Sequence, residues 1–499
     1  MSKKAIIIGA GFSGLSAAAY LAAAGYDVDV FEKNESSGGR ARQFSTVEGY
    51  TFDMGPSWYW MPDVFERFFN DFGTKTSDFY KLIQLDPAYS LIFGKDNCMH
   101  VPADFSELKL LFETIEKGSS SKLELFLKEA EYKYKAGVED LVYKPAHSFM
   151  EFTDMRTLKG VMRMQVFSSF SNHVKKYFKD PRLIALMEFP VLFLGAMPQK
   201  TPALYSLMNY AGLKLGTWYP EGGFGKVAEA MQKVAMKQGA KFHFNTPVEK
   251  ILVQGNSVCQ VQTTTGTVDT DVVIGAADYH HIEDKLLDLA YRGYSEKYWD
   301  KKTFAPSSLI FYLGLNKKID RLNHHSLFFD ADLSVHSSEI YIDKRWPTDP
   351  LFYVCCTSKS DSTVAPAGHE NLFLLMPIAP GIEDTESNRE RYFQLMLDRM
   401  EKFTGGELQS HIIYKKSYCI ADFISDYNAY KGNAYGLANT LSQTAFLKPK
   451  MKSRKLNNLY FAGQLTVPGP GVPPAIISGK IAAMEVIKKF SLSKNEVTL

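Results

Sequence analysis

Lys4-Ala-Ile-Ile-Ile-Gly-Ala-Gly-Phe-Ser-Gly14 is the stretch whose reading decides the fold. An apolar strand runs straight into Gly9-x-Gly11-x-x-Gly14, and a small-residue helix is expected from there to about Gly25. A second strand, Asp27 to Phe31, ends at Glu32 and Lys33. Each part has a mechanical reason. Gly9 permits the tight turn, Gly11 lets a pyrophosphate approach the backbone, and Gly14 lets the helix pack close on the strands. Ala10, Phe12 and Ser13 complete the loop, and the helix N-terminus offers N–H groups and a positive dipole end to phosphates. Glu32, eighteen residues after Gly14, is placed to accept the hydroxyls of an adenosine ribose, where an arginine would instead suggest a 2′-phosphate. Strand, triplet, helix, strand and acid therefore agree on a dinucleotide site.

A secretory signal is the competing reading of the same stretch, since Ala5 to Tyr26 carries no charge. Three glycines interrupt it, however, and it lacks the sustained bulky apolar run of a membrane span. The segment is expected to belong to the mature fold.

The 499 residues suggest more than one domain, and 45% hydrophobic with 22% charged residues is an ordinary globular composition. A net charge of +2 gives no pull toward nucleic acid. Aromatics reach 13%, as a long apolar binding channel or simply an aromatic core requires. The five cysteines (Cys98, Cys259, Cys355, Cys356, Cys419) form no CxxC and fit a reducing cytoplasm. No metal site is expected. In the doublets His280-His281 and His324-His325, strand neighbours would point to opposite faces, and no third ligand stands at helical spacing.

Farther along, Gly49 to Ser57 reads as a strand ending in a turn, and Gly118 to Ser121 as a polar break. From Lys122 to about Lys214 the signal is mostly helical. Within it Met162, Val166, Phe167 and Phe170 mix with Arg156, Lys159, Arg163, Lys175 and Lys176, a basic amphipathic pattern suited to a membrane surface or to a solvated face. Ala240 to Val248 reads as a strand, and Ser387 to Phe403 as a helix. The end of the chain mirrors its beginning. A strand closes at Gly463, a Pro/Gly loop follows, and a helix starts near Val472-Pro473. Such a helix start suits the N1–C2=O2 edge of a flavin, which becomes negative on reduction. FAD is thus better supported than NAD.

These motifs resemble those of the FAD-dependent carotenoid desaturases of bacterial phytoene-desaturase type, within the amine-oxidase-like flavoproteins. Gly38-Gly39-Arg40-Ala41-Arg42 is similar to their second flavin motif, whose arginine meets the FAD phosphates. Phe52-Asp-Met-Gly-Pro-Ser57 resembles the segment beneath the flavin, so Met54, Gly55, Pro56 and Ser57 join the site. Trp218-Tyr-Pro-Glu-Gly-Gly223 resembles a family turn, and Thr246-Pro-Val248 the strand whose valine backbone meets adenine. Asn458 to Pro473 resembles the C-terminal signature, which adds Gly463, Gln464, Gly471, Val472 and Pro473.

The resemblance implies an α/β fold: a Rossmann-like FAD-binding domain, a mixed-sheet substrate domain and a helical membrane-facing insert. The expected boundaries are 1–75, 220–285 and 455–490 for the first, 76–121 and 286–454 for the second, 122–219 for the third, and a tail at 491–499. It implies desaturation of an acyclic carotenoid chain, either phytoene or an acyclic-ended hydroxycarotenoid (1′-hydroxy-γ-carotene-type 3,4-desaturation). Hydride would leave to the flavin, and the allylic cation would be delocalised without need of a strong base. Quinone or oxygen would take the electrons. Asp154 and Arg156 are conceivable acid–base helpers or a surface ion pair, and no catalytic side chain is assigned. A polyene cis–trans isomerase, another flavin oxidase of the superfamily and a lipid-binding module without chemistry stay open. The implied location is cytoplasmic, peripherally on the inner face of the membrane.

Overall fold

The computed structural model describes residues 2–146, 168–193 and 195–490. The basic stretch around Arg156, Lys159, Met162, Arg163, Val166 and Phe167, the Asp154–Arg156 pair, and the 491–499 tail lie outside the described residues.

Five parallel strands form the first sheet, in the order Leu459–Phe461, Val272–Gly275, Lys4–Ile8, Asp27–Phe31, Lys241–His243. The opening strand is apolar throughout because both of its faces are covered. Ala5 and Ile7 pack with Leu15 and Ala18 of the helix Phe12–Ala23 and with Ile477 and Ile481 of the helix Val472–Phe490. Ile6 and Ile8 face the other way, toward Val248, Ile251, Val258 and Val261 of a three-stranded antiparallel sheet. The period of two thus sorts one strand into two cores. The first and last helices run close together because Gly479 has no side chain: a Cβ there would lie 2.2 Å from the Ser13 carbonyl oxygen.

The second sheet has seven strands, in the order Ile412–Tyr418, Ser307–Leu315, Glu370–Ile378, Phe352–Cys355, His325–Phe328, Tyr89–Gly94, Asn97–Val101. It is mixed, since His325–Phe328 runs parallel to Tyr89–Gly94 and its other pairings are antiparallel. On Ser307–Leu315 the odd positions Leu309, Phe311 and Leu313 pack on Phe393, Met396 and Met400 of the helix Glu386–Thr404. The even positions Ile310 and Tyr312 turn inward, where the Tyr312 hydroxyl donates to the Met54 carbonyl at 2.7 Å. This inner face joins the two sheets.

Helices Ser119–Tyr134, Phe170–Tyr177, Pro181–Phe193 and Leu207–Leu213 build the third region. Gly118 to Ser121 is not a break in the expected sense: Gly118, at φ +80°, caps a helix that already begins at Ser119. Two expected strands are shorter than read. Ala240–Val248 keeps only Lys241–His243 before the chain turns at Asn245 (φ +51°), and Gly49–Ser57 keeps only Thr51–Asp53, paired with Gln43–Ser45. Among the described residues, no helix is long and apolar enough to cross a membrane.

Candidate functional site

The glycine turn is built as its spacing requires. Gly9 has φ +101° and its N–H donates to the Phe31 carbonyl at 2.8 Å, so the loop leaves the first strand by reaching over the second. At Gly14 a Cβ would lie 2.0 Å from the Gly9 carbonyl oxygen. At Gly11 a Cβ would be in ordinary van der Waals contact with the Gly39 Cα, at 3.9 Å. No side chain caps the first turn of the helix starting at Phe12. Phe12 and Ser13 are themselves buried.

Glu32 is buried at the end of its strand. One carboxylate oxygen accepts from the Ala10 N–H at 2.8 Å, and the other from the Asn34 N–H and side-chain amide, both at 2.9 Å. The acid therefore braces the glycine loop while keeping lone pairs for further donors. Thr246 donates its N–H to the Glu32 carbonyl at 2.9 Å, which brings the start of the strand Val248–Gln254 alongside. Lys33 is directed elsewhere: its ammonium donates to the Ser425 carbonyl at 2.5 Å.

Gly38 and Gly39 (φ +109° and +57°) cross directly over the glycine loop, with the Gly38 N–H donating to the Ala10 carbonyl at 2.9 Å. This turn delivers Arg40 and Arg42. Arg40 donates to the Asn433 carbonyl at 3.3 Å, and Arg42 pairs with Asp426 at 2.8 Å; both lie over the Tyr427 ring. Burial pulls Arg40 below its ordinary value, opposed by the Asp278 carboxylate. Burial also works against Arg42, but Tyr427 and Asp426 outweigh it and leave that guanidinium raised. In both arginines the Nε–H is buried without a hydrogen-bond partner. Unmatched buried cationic donors beside a glycine turn at a helix N-terminus are what a dinucleotide diphosphate satisfies.

The second pole lies against the first. The Gly463 N–H donates to the Ser478 hydroxyl at 2.9 Å, and a Cβ on Gly463 would stand 3.3 Å from the Ser13 hydroxyl oxygen. Gly471 (φ +115°) then turns the chain into the helix Val472–Phe490. Pro473 and Pro474 have no N–H, and the Ala475 N–H is already bonded to the Gly471 carbonyl at 3.0 Å. Val472 is thus the first-turn residue left with a donor, a narrower anion cradle than the spacing alone suggested. Gln464 donates to the Asn433 side chain at 3.3 Å. Between the poles, Met54 donates its N–H to the Arg42 carbonyl at 2.8 Å, and a Cβ on Gly55 would come 2.7 Å from the Arg40 carbonyl. Pro56 follows, and Ser57 shares a hydrogen bond with the Tyr353 hydroxyl at 2.9 Å.

Several partners escaped the sequence reading because they are remote in the chain. Asp53 accepts from the Phe224 and Gly225 N–H groups at 2.9 and 3.3 Å, capping the helix Phe224–Lys237. Gly223 (φ +89°) must be glycine there, since a Cβ would sit 2.6 Å from the Asp53 carboxylate. Burial pushes the Asp53 carboxyl up to about 7. The argument against a third ligand for the histidine doublets also fails in one case. His280 bonds Glu296, but His324 and His325 are both buried beside Cys355 from the neighbouring strand.

Past Ser57 the packing becomes aromatic. Trp58 stacks on His325 with ring centres 4.0 Å apart, and meets Tyr89, Trp60 and Phe189 at 5.3–5.7 Å.

Residues 12–487 match the family described as Flavin containing amine oxidoreductase. The chain is 40% identical over 487 residues to the carotenoid 3,4-desaturase of Haloarcula japonica, covering 97% of this chain and 98% of that one. It is 30% identical over 487 residues to the zeta-carotene-forming phytoene desaturase of Myxococcus xanthus, covering 96% and 93%. Among solved structures, an oxidoreductase from Methanosarcina mazei matches with a TM-score of 0.62 at 17% identity, over 97% of this chain and 100% of that one. That likeness speaks for the fold. With the partnerless arginine donors and the glycine turn, the family makes FAD the cofactor. The chain belongs to the flavin-containing amine oxidoreductase family.

Proposed function

We propose that this protein is an FAD-dependent desaturase that introduces C=C bonds into the acyclic part of a carotenoid, with 3,4-desaturation of an acyclic-ended hydroxycarotenoid as its leading reaction. The observation that carries this reading is the 40% identity, across nearly the full length of both chains, to a carotenoid 3,4-desaturase. The aromatic cluster of Trp58, Trp60, Tyr89 and Phe189 supports it, because flat apolar rings suit a polyene.

Bound FAD supplies the two-electron acceptor for the hydride leaving one carbon. The protein's part is positional. Gly9–Gly14, Glu32, Val248, Arg40 and Arg42 would hold the adenine-nucleotide half, and Met54–Ser57, Gly463, Gln464 and Gly471–Pro473 would hold the flavin half. The aromatic cluster keeps the hydrocarbon oriented and excludes water, and the polyene itself spreads the positive charge. The neighbouring carbon then loses its proton to a weak acceptor or water, and no side chain has to act as a strong base. Quinone or oxygen removes the electrons.

The substrate reaches the protein from a bilayer, so we further propose that the helical region rests on the cytoplasmic membrane surface. The protein then pellets with liposomes, and deletion of residues 145–200 abolishes pelleting. An intact protein that stays in the supernatant defeats this part.

The deciding experiment incubates FAD-loaded enzyme with phytoene and, separately, with a hydroxylated γ-carotene under anaerobic conditions. A product absorbing at longer wavelength, formed in step with flavin reduction, supports the desaturase. A change of double-bond geometry without flavin reduction would make the protein an isomerase instead.

A further inference from the structure

The strongest feature that the flavin site does not use is a trio of buried side chains on two adjacent strands of the seven-stranded sheet. His325 and Cys355 are directly paired across the antiparallel ladder, and His324 precedes His325 just outside the strand. Being off the strand, His324 escapes the alternation that would send it to the opposite face. All three residues are at most 3% exposed, and their donor atoms lie within 4.8 Å of one another.

Both imidazoles are held at one nitrogen and free at the other. His324 Nδ1 shares a hydrogen bond with the Ser360 hydroxyl at 3.0 Å, and His325 Nδ1 with the Tyr353 hydroxyl at 2.6 Å. The Nε2 atom of each is buried with no hydrogen-bond partner. A buried imidazole nitrogen without a partner costs stability, and two side by side seldom persist without something to bind them. Fixing one ring nitrogen through an oxygen while leaving the other without a partner is how proteins prepare a metal-binding histidine.

We propose that one ring nitrogen each of His324 and His325, together with the Cys355 Sγ that hydrogen-bonds the Tyr353 hydroxyl, form a buried N2S site for a thiophilic d10 metal ion. The thiol selects a soft or borderline cation, and three protein donors leave one position open. Donors around such an ion stand about 3.5 Å apart, so the trio closes by about 1 Å at its widest separation. Binding exchanges the thiol proton for the metal: the S–H bond breaks, an S–metal bond forms, and one proton is released to solvent. Cu+ with one thiolate makes a neutral unit suited to full burial. Zn2+ leaves a single positive charge, for which the buried Asp361 is the acid acting on His324.

The site would pin two strands together directly behind the Trp58 aromatic cluster. Trp58 stacks on His325, and Ser57 reaches it through Tyr353. Metal occupancy is therefore expected to stiffen the cluster rather than take part in the redox step.

The test loads FAD-containing protein with Zn2+ or, anaerobically, with Cu+, removes excess by gel filtration, and measures metal per chain and X-ray absorption at the metal edge, which flavin does not obscure. One ion per chain with a single sulfur neighbour is expected, lost in Cys355→Ser and kept in Cys356→Ser, whose thiol instead contacts Ser358. Competition between Zn2+ and Cu+ identifies the preferred ion. Should Cys355→Ser fail to fold, His324→Gln takes its place and is expected to bind at least tenfold more weakly. No retained metal, a shell of nitrogen and oxygen only, or undiminished binding in the folded variant overturns the proposal.

Discussion

The Ser16 hydroxyl donates to the Ile476 carbonyl at 2.7 Å, joining the first helix to the last across 460 positions of sequence. Beside this bond Gly479 lets the two helix backbones touch, and through them the turns at Gly11 and Gly471 keep a common frame.

Gly479→Ala tests that frame. Helix propensity alone favours alanine by about 1 kcal/mol. The added methyl, however, would meet the Ser13 carbonyl oxygen at 2.2 Å, a backbone atom that cannot rotate away. The expected outcome is a net loss of roughly 1–3 kcal/mol in urea unfolding, with weaker FAD retention. A variant as stable as the parent contradicts the packing argument.

Glu32→Gln should weaken FAD binding by about tenfold, or about 1.4 kcal/mol, in a flavin-fluorescence titration. The amide keeps one acceptor for the Ala10 or Asn34 donors but loses the charge and one acceptor oxygen. Equal affinity would remove Glu32 from the ribose site.

Arg40→Met removes a cationic donor whose Nε–H has no protein partner. A charge-assisted bond to phosphate is worth about 1.5–3 kcal/mol, so the dissociation constant for FAD should rise about 10- to 150-fold. Unchanged binding with the same fold would show that the diphosphate lies elsewhere.

Asp53 gives the stability a pH signature. Burial raises its carboxyl from the model-compound value of 3.8 to about 7. Between those values the folded protein holds more protons than the unfolded chain, so this contribution is full below 3.8 and disappears as pH rises through about 7. Urea midpoints of the parent minus those of Asp53→Asn should therefore fall across that window. A difference independent of pH would deny the raised value.

Much of the cofactor half was legible because its determinants are local. The strand, the Gly9–Gly14 turn, the helix and Glu32 follow one another within a single supersecondary unit. The Gly38–Arg42 turn was legible as a motif, yet what faces its arginines was not. Asn433, Asp426, Tyr427 and Asp278 come from distant segments. Among the described residues the helical reading of 122–214 was right in kind, but Gly118 served as a cap where polarity suggested a break, since a positive φ leaves no trace in polarity.

By itself, the sequence determined the parallel βαβ start, the glycine turn and the apolar strands, because short-range sterics and the periods of helix and strand act over a few residues. Only the tertiary structure decided which residues meet: Gly479 against Ser13, Asp53 at the start of the helix Phe224–Lys237, and Cys355 beside His324 and His325. Those contacts depend on sheet register and helix approach, and both follow from packing two cores at once rather than from any neighbouring stretch of chain.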